Sequence, residues 1–232
     1  MELYDVMRTT PATREFTDEP VGEDVLYRIL DNARFAPSGG NRQGWYVIVV
    51  SDPEIRMRLR DLYVLGWREY VGHLREGLVP FAAREAGRWP GPAIDLEQAR
   101  RTPAPYEFAD SLNAVPVLLV LVADLGALAT VDNGLGRQSI VGGASIYPFA
   151  HNILLAARNE GLGGVLTSVI ARQEPAAVEL LDIPDGYAVA GLLALGRPRK
   201  RITKLRRRPV QEFTYRDRFH GQPFGSDPSP VA

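Results

Sequence analysis

Residues 115–123 read Val-Pro-Val-Leu-Leu-Val-Leu-Val-Ala, without one polar side chain. Asp124 ends the run far short of the roughly 20 residues that cross a bilayer. A run this short and this rich in β-branched residues predicts a strand buried on both faces. Such a strand needs a layer of structure on each side. Residues 45–50 and 187–195 repeat the pattern, so the chain is predicted to build a sheet around its most apolar strand.

The covering layers are legible as helical periodicity. Residues 2–8 suggest a short helix, with Leu3, Val6 and Met7 on one side. Residues 9–20 are broken by Pro11 and Pro20 and predict a loop or an extended segment. Residues 24–36 form an amphipathic helix, and residues 37–44 a polar, glycine-rich turn. Helix returns over 53–70. Residues 139–160 predict one long apolar helix despite Pro148, with residues 161–164, Gly-Leu-Gly-Gly, capping its end. A short strand or turn is expected at 165–170 and a helix at 175–181. Alternation of this kind is α+β or α/β in a single domain, 1–232.

Two stretches stand apart. Residues 72–108 are rich in Gly, Pro and Arg, with scattered aromatics, and suggest a lid or insertion. The tail, 211–232, has no periodicity. It carries Phe213, Tyr215, Phe219 and Phe224, too much apolar surface for a free tail, and is expected to pack on a second subunit.

The chemistry is narrowed by what is missing. The chain has no cysteine, which excludes disulfides, thiolate nucleophiles and iron–sulfur clusters. Its three histidines are scattered, so no metal site is expected. There is no Gly-x-Ser-x-Gly elbow and no phosphate-binding P-loop. A formal net charge of −1 argues against nucleic acid and anionic membranes as partners. The N-terminus lacks the basic and apolar regions of a signal peptide, so a cytoplasmic location is expected.

Three polar clusters remain. Arg8, Thr9, Thr10 and Arg14 bring guanidinium forks and hydroxyls suited to a phosphate and a polyol. Pro37, Ser38, Asn41 and Gln43 lie in the turn before the first strand, where amide donors and acceptors suit the edge of a heteroaromatic ring. Residues 197–208 hold eight basic side chains, Arg206 and Arg207 among them. Each also has a plain structural reading: a solvated helix end, an ordinary helix-to-strand turn, a solvated basic loop.

Taken in order, the clusters resemble the flavin-binding segments of the nitroreductase family. Arg8-Thr9-Thr10 with Arg14-Glu15-Phe16 resembles its N-terminal Arg-Arg-Ser-x-Arg-x-Phe element. Ala36-Pro37-Ser38 with Asn41-Arg42-Gln43-Gly44-Trp45 is similar to its Ala-Pro-Ser-x-x-Asn-x-Gln-Pro-Trp turn. Gly142 through Ala157 to Gly163-Gly164 resembles the central dimer helix and its glycine turn. Leu195-Gly196-Arg197-Pro198 resembles the closing strand's end, and residues 206–209 fall at the C-terminal phosphate-binding position.

The resemblance implies a nitroreductase-like α+β fold: a central, mostly antiparallel sheet flanked by helices, in an intertwined homodimer. It implies FMN as cofactor and NAD(P)H as co-substrate, with hydride passed to a small electron-poor acceptor such as a nitroaromatic or quinone. Arg8, Thr9, Thr10, Arg14, Arg206 and Arg207 would grip phosphate and ribityl. Pro37, Ser38, Asn41 and Gln43 would meet the ring edge, and amides of Gly163 and Gly164 its reactive nitrogen. No acid–base side chain is obligatory. Flavin-fragmenting or reductive dehalogenating relatives, or a flavin-sequestering protein, are the alternatives.

Overall fold

The computed structural model describes residues 1–85 and 87–225. The expected tail residues 226–232 lie outside that range. Four antiparallel strands form the sheet: β1 (Trp45–Val50), β2 (Val117–Asp124), β3 (Gly163–Thr167) and β4 (Tyr187–Gly196), in the order β1-β2-β4-β3. Around them run α1 (Leu3–Thr9), α2 (Glu23–Ala33), α3 (Pro53–Arg75), α4 (Leu96–Arg101), α5 (Glu107–Asp110), α6 (Tyr147–Asn159) and α7 (Glu174–Leu180).

The apolar run explains the architecture. Along β2, Leu118, Val120 and Val122 enter one core with Leu59 and Tyr63 of α3, Phe108 of α5 and Ala177 of α7. The alternate residues Val117, Leu119, Leu121 and Ala123 enter a second core with Ile29 and Ala33 of α2 and Phe149, Ile153 and Ala157 of α6. Side chains alternate across a strand, so a strand with a core on each face has no place for a polar residue. The expected α+β fold with an antiparallel sheet between helices is what forms.

The long helix expected over 139–160 is two pieces. Residues Val141–Ser145 make a 3-10 turn, and α6 starts only at Tyr147, with Pro148 in its first turn. Proline lacks the N–H that a helix interior uses but suits a first turn, so the helix begins at Pro148 instead of running through it. At the other end, Gly161 has φ of 83°. Its N–H donates to Arg158 O at 3.1 Å, and Leu162 N–H donates to Ala157 O at 2.8 Å. This is a Schellman closure, and it needs only Gly161. Gly163 and Gly164, expected in the cap, instead open β3.

Residues 72–108 are more ordered than their composition suggested. Helix α3 continues to Arg75, and α4 and α5 pack along it. Trp67 Nε1 donates to Ala104 O at 3.0 Å, and its ring stacks on Tyr70 and Tyr106.

Candidate functional site

The N-terminal cluster gathers at the end of the sheet marked by Gly163 and Gly196. After α1 the chain bridges from Ala12 to Gly164 and from Phe16 to Pro198, crossing that end. Thr13 N donates to Gly164 O at 2.9 Å, and Arg199 N to Glu15 O at 3.0 Å. The threonines before it are bound locally: Thr9 Oγ1 to Asp5 O and Thr10 Oγ1 to Val6 O, both at 2.6 Å. Arg8 is exposed, with its guanidinium 5.8 Å from the Tyr4 ring centre.

Arg14 differs from its basic neighbours. Arg197 pairs with Glu19, and Arg199 lies 3.9 Å from Asp18, while Arg14 is exposed and has no hydrogen-bond or ion-pair partner among the described residues. It stands close enough to Tyr63 to be felt there. Burial pushes the Tyr63 hydroxyl up from its usual pKa, while the bond to Thr167 and the charge of Arg14 pull it back. Tyr63 Oη and Thr167 Oγ1 are 3.1 Å apart. Nothing local in the sequence brings Tyr63 and Thr167 together, because their contact joins a helix to a distant strand end.

The turn before β1 is built tightly. Ser38 Oγ accepts from Gln43 N, and Ser145 Oγ accepts from Gly39 N, both at 3.0 Å. Asn41 and Gln43 both adopt left-handed backbones, with φ of 55° and 51°. Two such non-glycine residues within three positions store strain, and strain of this sort gathers at functional sites. Gln43 Nε2 donates to Asn41 Oδ1 at 3.3 Å. Pro37, Asn41 and Gln43 are exposed and Ser38 is half-buried.

The two clusters occupy opposite corners of the sheet. The turn leads into Trp45, which pairs with Ala123 at one end of β2, while Gly163 pairs with Gly196 at the far end of the opposite edge strand. Three strand spacings alone separate the edges by roughly 14 Å. Gly163 and Gly164 are themselves buried. A Cβ on Gly163 would lie 2.6 Å from Thr13 Oγ1, and one on Gly164 2.4 Å from Leu195 Cδ2. Close packing is thus reason enough for both glycines.

Arg206 and Arg207 lie on an exposed stretch beyond β4. Arg207 Nη1 donates to Arg206 O, and neither side chain reaches the other clusters by hydrogen bond or ion pair. The described part of the tail folds on itself: Tyr215 bridges to Pro223, and Phe219 and His220 pack around the Tyr215 ring. Phe219 is 83% exposed.

Over the other core lies a buried ionic hub. Glu69, fully buried, accepts from Arg100 Nε and Arg172 Nε, each at 2.7 Å, and from Gln173 Nε2 at 3.1 Å. Arg172 in turn faces the rings of Phe81 and Trp89. The hub ties residues 72–108 to the turn that follows β3. Among the described residues, no group of three His, Asp or Glu is placed to hold a metal ion, and no helix is long and apolar enough to cross a membrane.

An antiparallel sheet between helical layers is a fold shared with solved oxidoreductase structures. The chain overlays NADPH:FMN oxidoreductase from Vibrio harveyi complexed with NAD+ with a TM-score of 0.63 at 18% identity, covering 94% of this chain and 77% of that one. The Nitroreductase family model matches residues 7–197, and the chain belongs to that family. Nitrobenzene nitroreductase from Ectopseudomonas oleovorans is 28% identical over 206 residues, 84% of this chain and 86% of that protein. Iodotyrosine deiodinase 1 from Homo sapiens is 26% identical over 215 residues, 91% of this chain. The chain spans about two thirds of the length of the deiodinases it matches, 67% of the human and 64% of the rat protein.

Proposed function

We propose that the protein is an FMN-dependent oxidoreductase, passing hydride from NAD(P)H to a small electron-poor acceptor such as a nitroaromatic or quinone. The observation that carries this reading is the strained turn of residues 38–43, held rigid by Ser38 and Ser145, with the exposed amides of Asn41 and Gln43. The donor set fits a flavin. Arg14 and Arg8 offer guanidinium groups with no carboxylate partner among the described residues, Arg206 and Arg207 add charge for a phosphate, and the turn offers amides for a ring edge.

Bound FMN supplies the uptake and release of hydride. The residues of this chain bind and orient. Arg14, with Arg8, holds the anionic end, while Thr9 and Thr10 fix the segment by donating their hydroxyls to Asp5 O and Val6 O. Ser38 keeps Gln43 in place, and Asn41 and Gln43 read the ring edge. Tyr63 and Thr167 fix a hydroxyl pair beside Arg14, and residues 72–108 exclude water from above. Gly163 and Gly164 let the N-terminal segment lie close against β3.

The same geometry supports reading the protein as a homodimer. One chain carries its two clusters at opposite corners, and a second copy would bring the turn of one subunit to the Arg14 segment of the other. The exposed Tyr147, Phe213 and Phe219 suit such an interface.

A second reading, reductive dehalogenation, is favoured by the deiodinase relatives. Both are tested by following NADH and NADPH oxidation by the FMN-loaded protein with nitrobenzene, a benzoquinone and an iodinated phenol in turn. Consumption with the nitro compound or quinone, well above that of free FMN, supports the first reading. Iodide release from the phenol alone moves the assignment to the second. No acceptor-dependent turnover contradicts both.

A further inference from the structure

Arg158 is a buried cation without a counter-ion among the described residues. It lies in the last turn of α6 and is 3% exposed. Its Nε donates to Thr9 Oγ1 at 3.1 Å, its side chain's one hydrogen bond among the described residues. Among the described residues no carboxylate comes within ion-pair distance. The nearby charge is Arg201, of the same sign, and burial together with Arg201 disfavours the charged guanidinium. The other buried charges are treated differently. Glu69 has two arginines, and Asp132 has Arg137.

An arginine does not escape by losing its proton. An unpaired buried charge costs several kcal/mol, and proteins rarely leave it uncompensated. The negative end of the α6 dipole offsets part of this. That relief is reduced, because the carbonyls of Ala157 and Arg158 already accept from Leu162 and Gly161.

Arg158 lines a cleft with Thr10, Thr13, Gly163, Lys200 and Arg201. The cleft leaves about 10 Å³ inside, room for one oxygen-sized group. Lys200 and Arg201 are exposed at its mouth and have no carboxylate partner among the described residues. Three cations therefore converge on a space that admits one oxygen.

We propose that this cleft binds a phosphate-class oxyanion. One oxygen enters and accepts from the Arg158 guanidinium, while Arg201 and Lys200 meet the oxygens left outside. Planar guanidinium groups match this geometry. The anion is either free phosphate or the phosphate end of a nucleotide-type cofactor. The assignment does not rest on the flavin reading, since Arg158 needs a counter-ion whatever the protein catalyses.

The test uses the whole protein, purified without phosphate, and the exposed-residue variant Arg201→Ala, which leaves the core intact. Melting is followed during titration with sodium phosphate and with sodium chloride at equal ionic strength. The wild type should show a saturable rise with phosphate beyond that with chloride, and Arg201→Ala should need about tenfold more phosphate. FMN and riboflavin are then titrated into both proteins. If the cofactor supplies the anion, Arg201→Ala weakens FMN about tenfold, spares riboflavin, and phosphate competes with FMN. If the anion is free phosphate, FMN affinity is unchanged and phosphate still stabilises the FMN-bound protein. A phosphate response lost in Arg201→Ala, with no flavin bound by either protein, sustains the anion site and removes the flavin reading. Equal responses to phosphate and chloride in the wild type, or equal phosphate responses in both proteins, with FMN binding unaffected by Arg201→Ala, overturn the proposal.

Discussion

Thr13 and Gly163 meet so closely that a single methyl group does not fit between them: a Cβ on Gly163 would stand 2.6 Å from Thr13 Oγ1. The backbone next to this contact is fixed by the bond from Thr13 N to Gly164 O. Overpacking of this kind costs about 1–3 kcal/mol. Gly163→Ala should lose that much stability in urea unfolding, and Thr13→Ala in the same chain should recover part of it. Strict additivity of the two changes would mean that the contact does not govern this end of the sheet.

Glu69 pairs from a fully buried position with both Arg100 and Arg172, and Arg100 also meets Glu97. Removing one partner of a buried ion pair strands the other, at a cost of about 3 kcal/mol. Glu69→Ala should be destabilised by that amount and should loosen residues 72–108, read as faster amide exchange in α4. Unchanged exchange there would mean that the hub does not hold those residues in place.

Asp132 collects the loop before α6. It accepts from Ile140 N at 2.9 Å, Arg137 Nη1 at 2.8 Å and Ser139 Oγ at 2.7 Å, and these donors hold its carboxyl well below its ordinary value of 3.8. A group whose pKa is depressed by folding adds stability above its unfolded value and loses it as pH falls below. The protein should therefore be fully stabilised by Asp132 at neutral pH and lose that contribution below about pH 4. Asp132→Asn should unfold with a flatter acid limb than the wild type when melting is compared from about pH 7 to about pH 3.

Asn41 combines an unusual backbone with a useful side chain. Asn41→Gly keeps the left-handed conformation and deletes the amide. Stability should change by less than about 0.5 kcal/mol, while FMN affinity falls about tenfold. A loss of stability without a change in affinity would make the residue purely structural.

Much of the fold was legible because it rests on local patterns. The apolar run at 115–123 demanded two covering layers, and both are present. Residues 45–50 form the expected strand at those bounds. The break at Pro148 is hidden in the sequence by an apolar pattern that runs on across the proline. Gly163 and Gly164 looked like a cap, since sequence spacing does not reveal that Thr13 lies against one and Leu195 against the other. Segment order marks Arg14 and the 38–43 turn as candidate site segments, but not their separation across the sheet. Arg158 had a local signal: it sits four residues after Leu154, a lone charge on an apolar helix face.

The central claim concerns the flavin, and the visible spectrum of the purified protein tests it most directly, with the chromophore released by heat and identified. The account predicts a yellow protein that releases FMN at about one per chain, as the nitroreductase-like site implies. A colourless protein that gains no bound absorbance after incubation with FMN would contradict it.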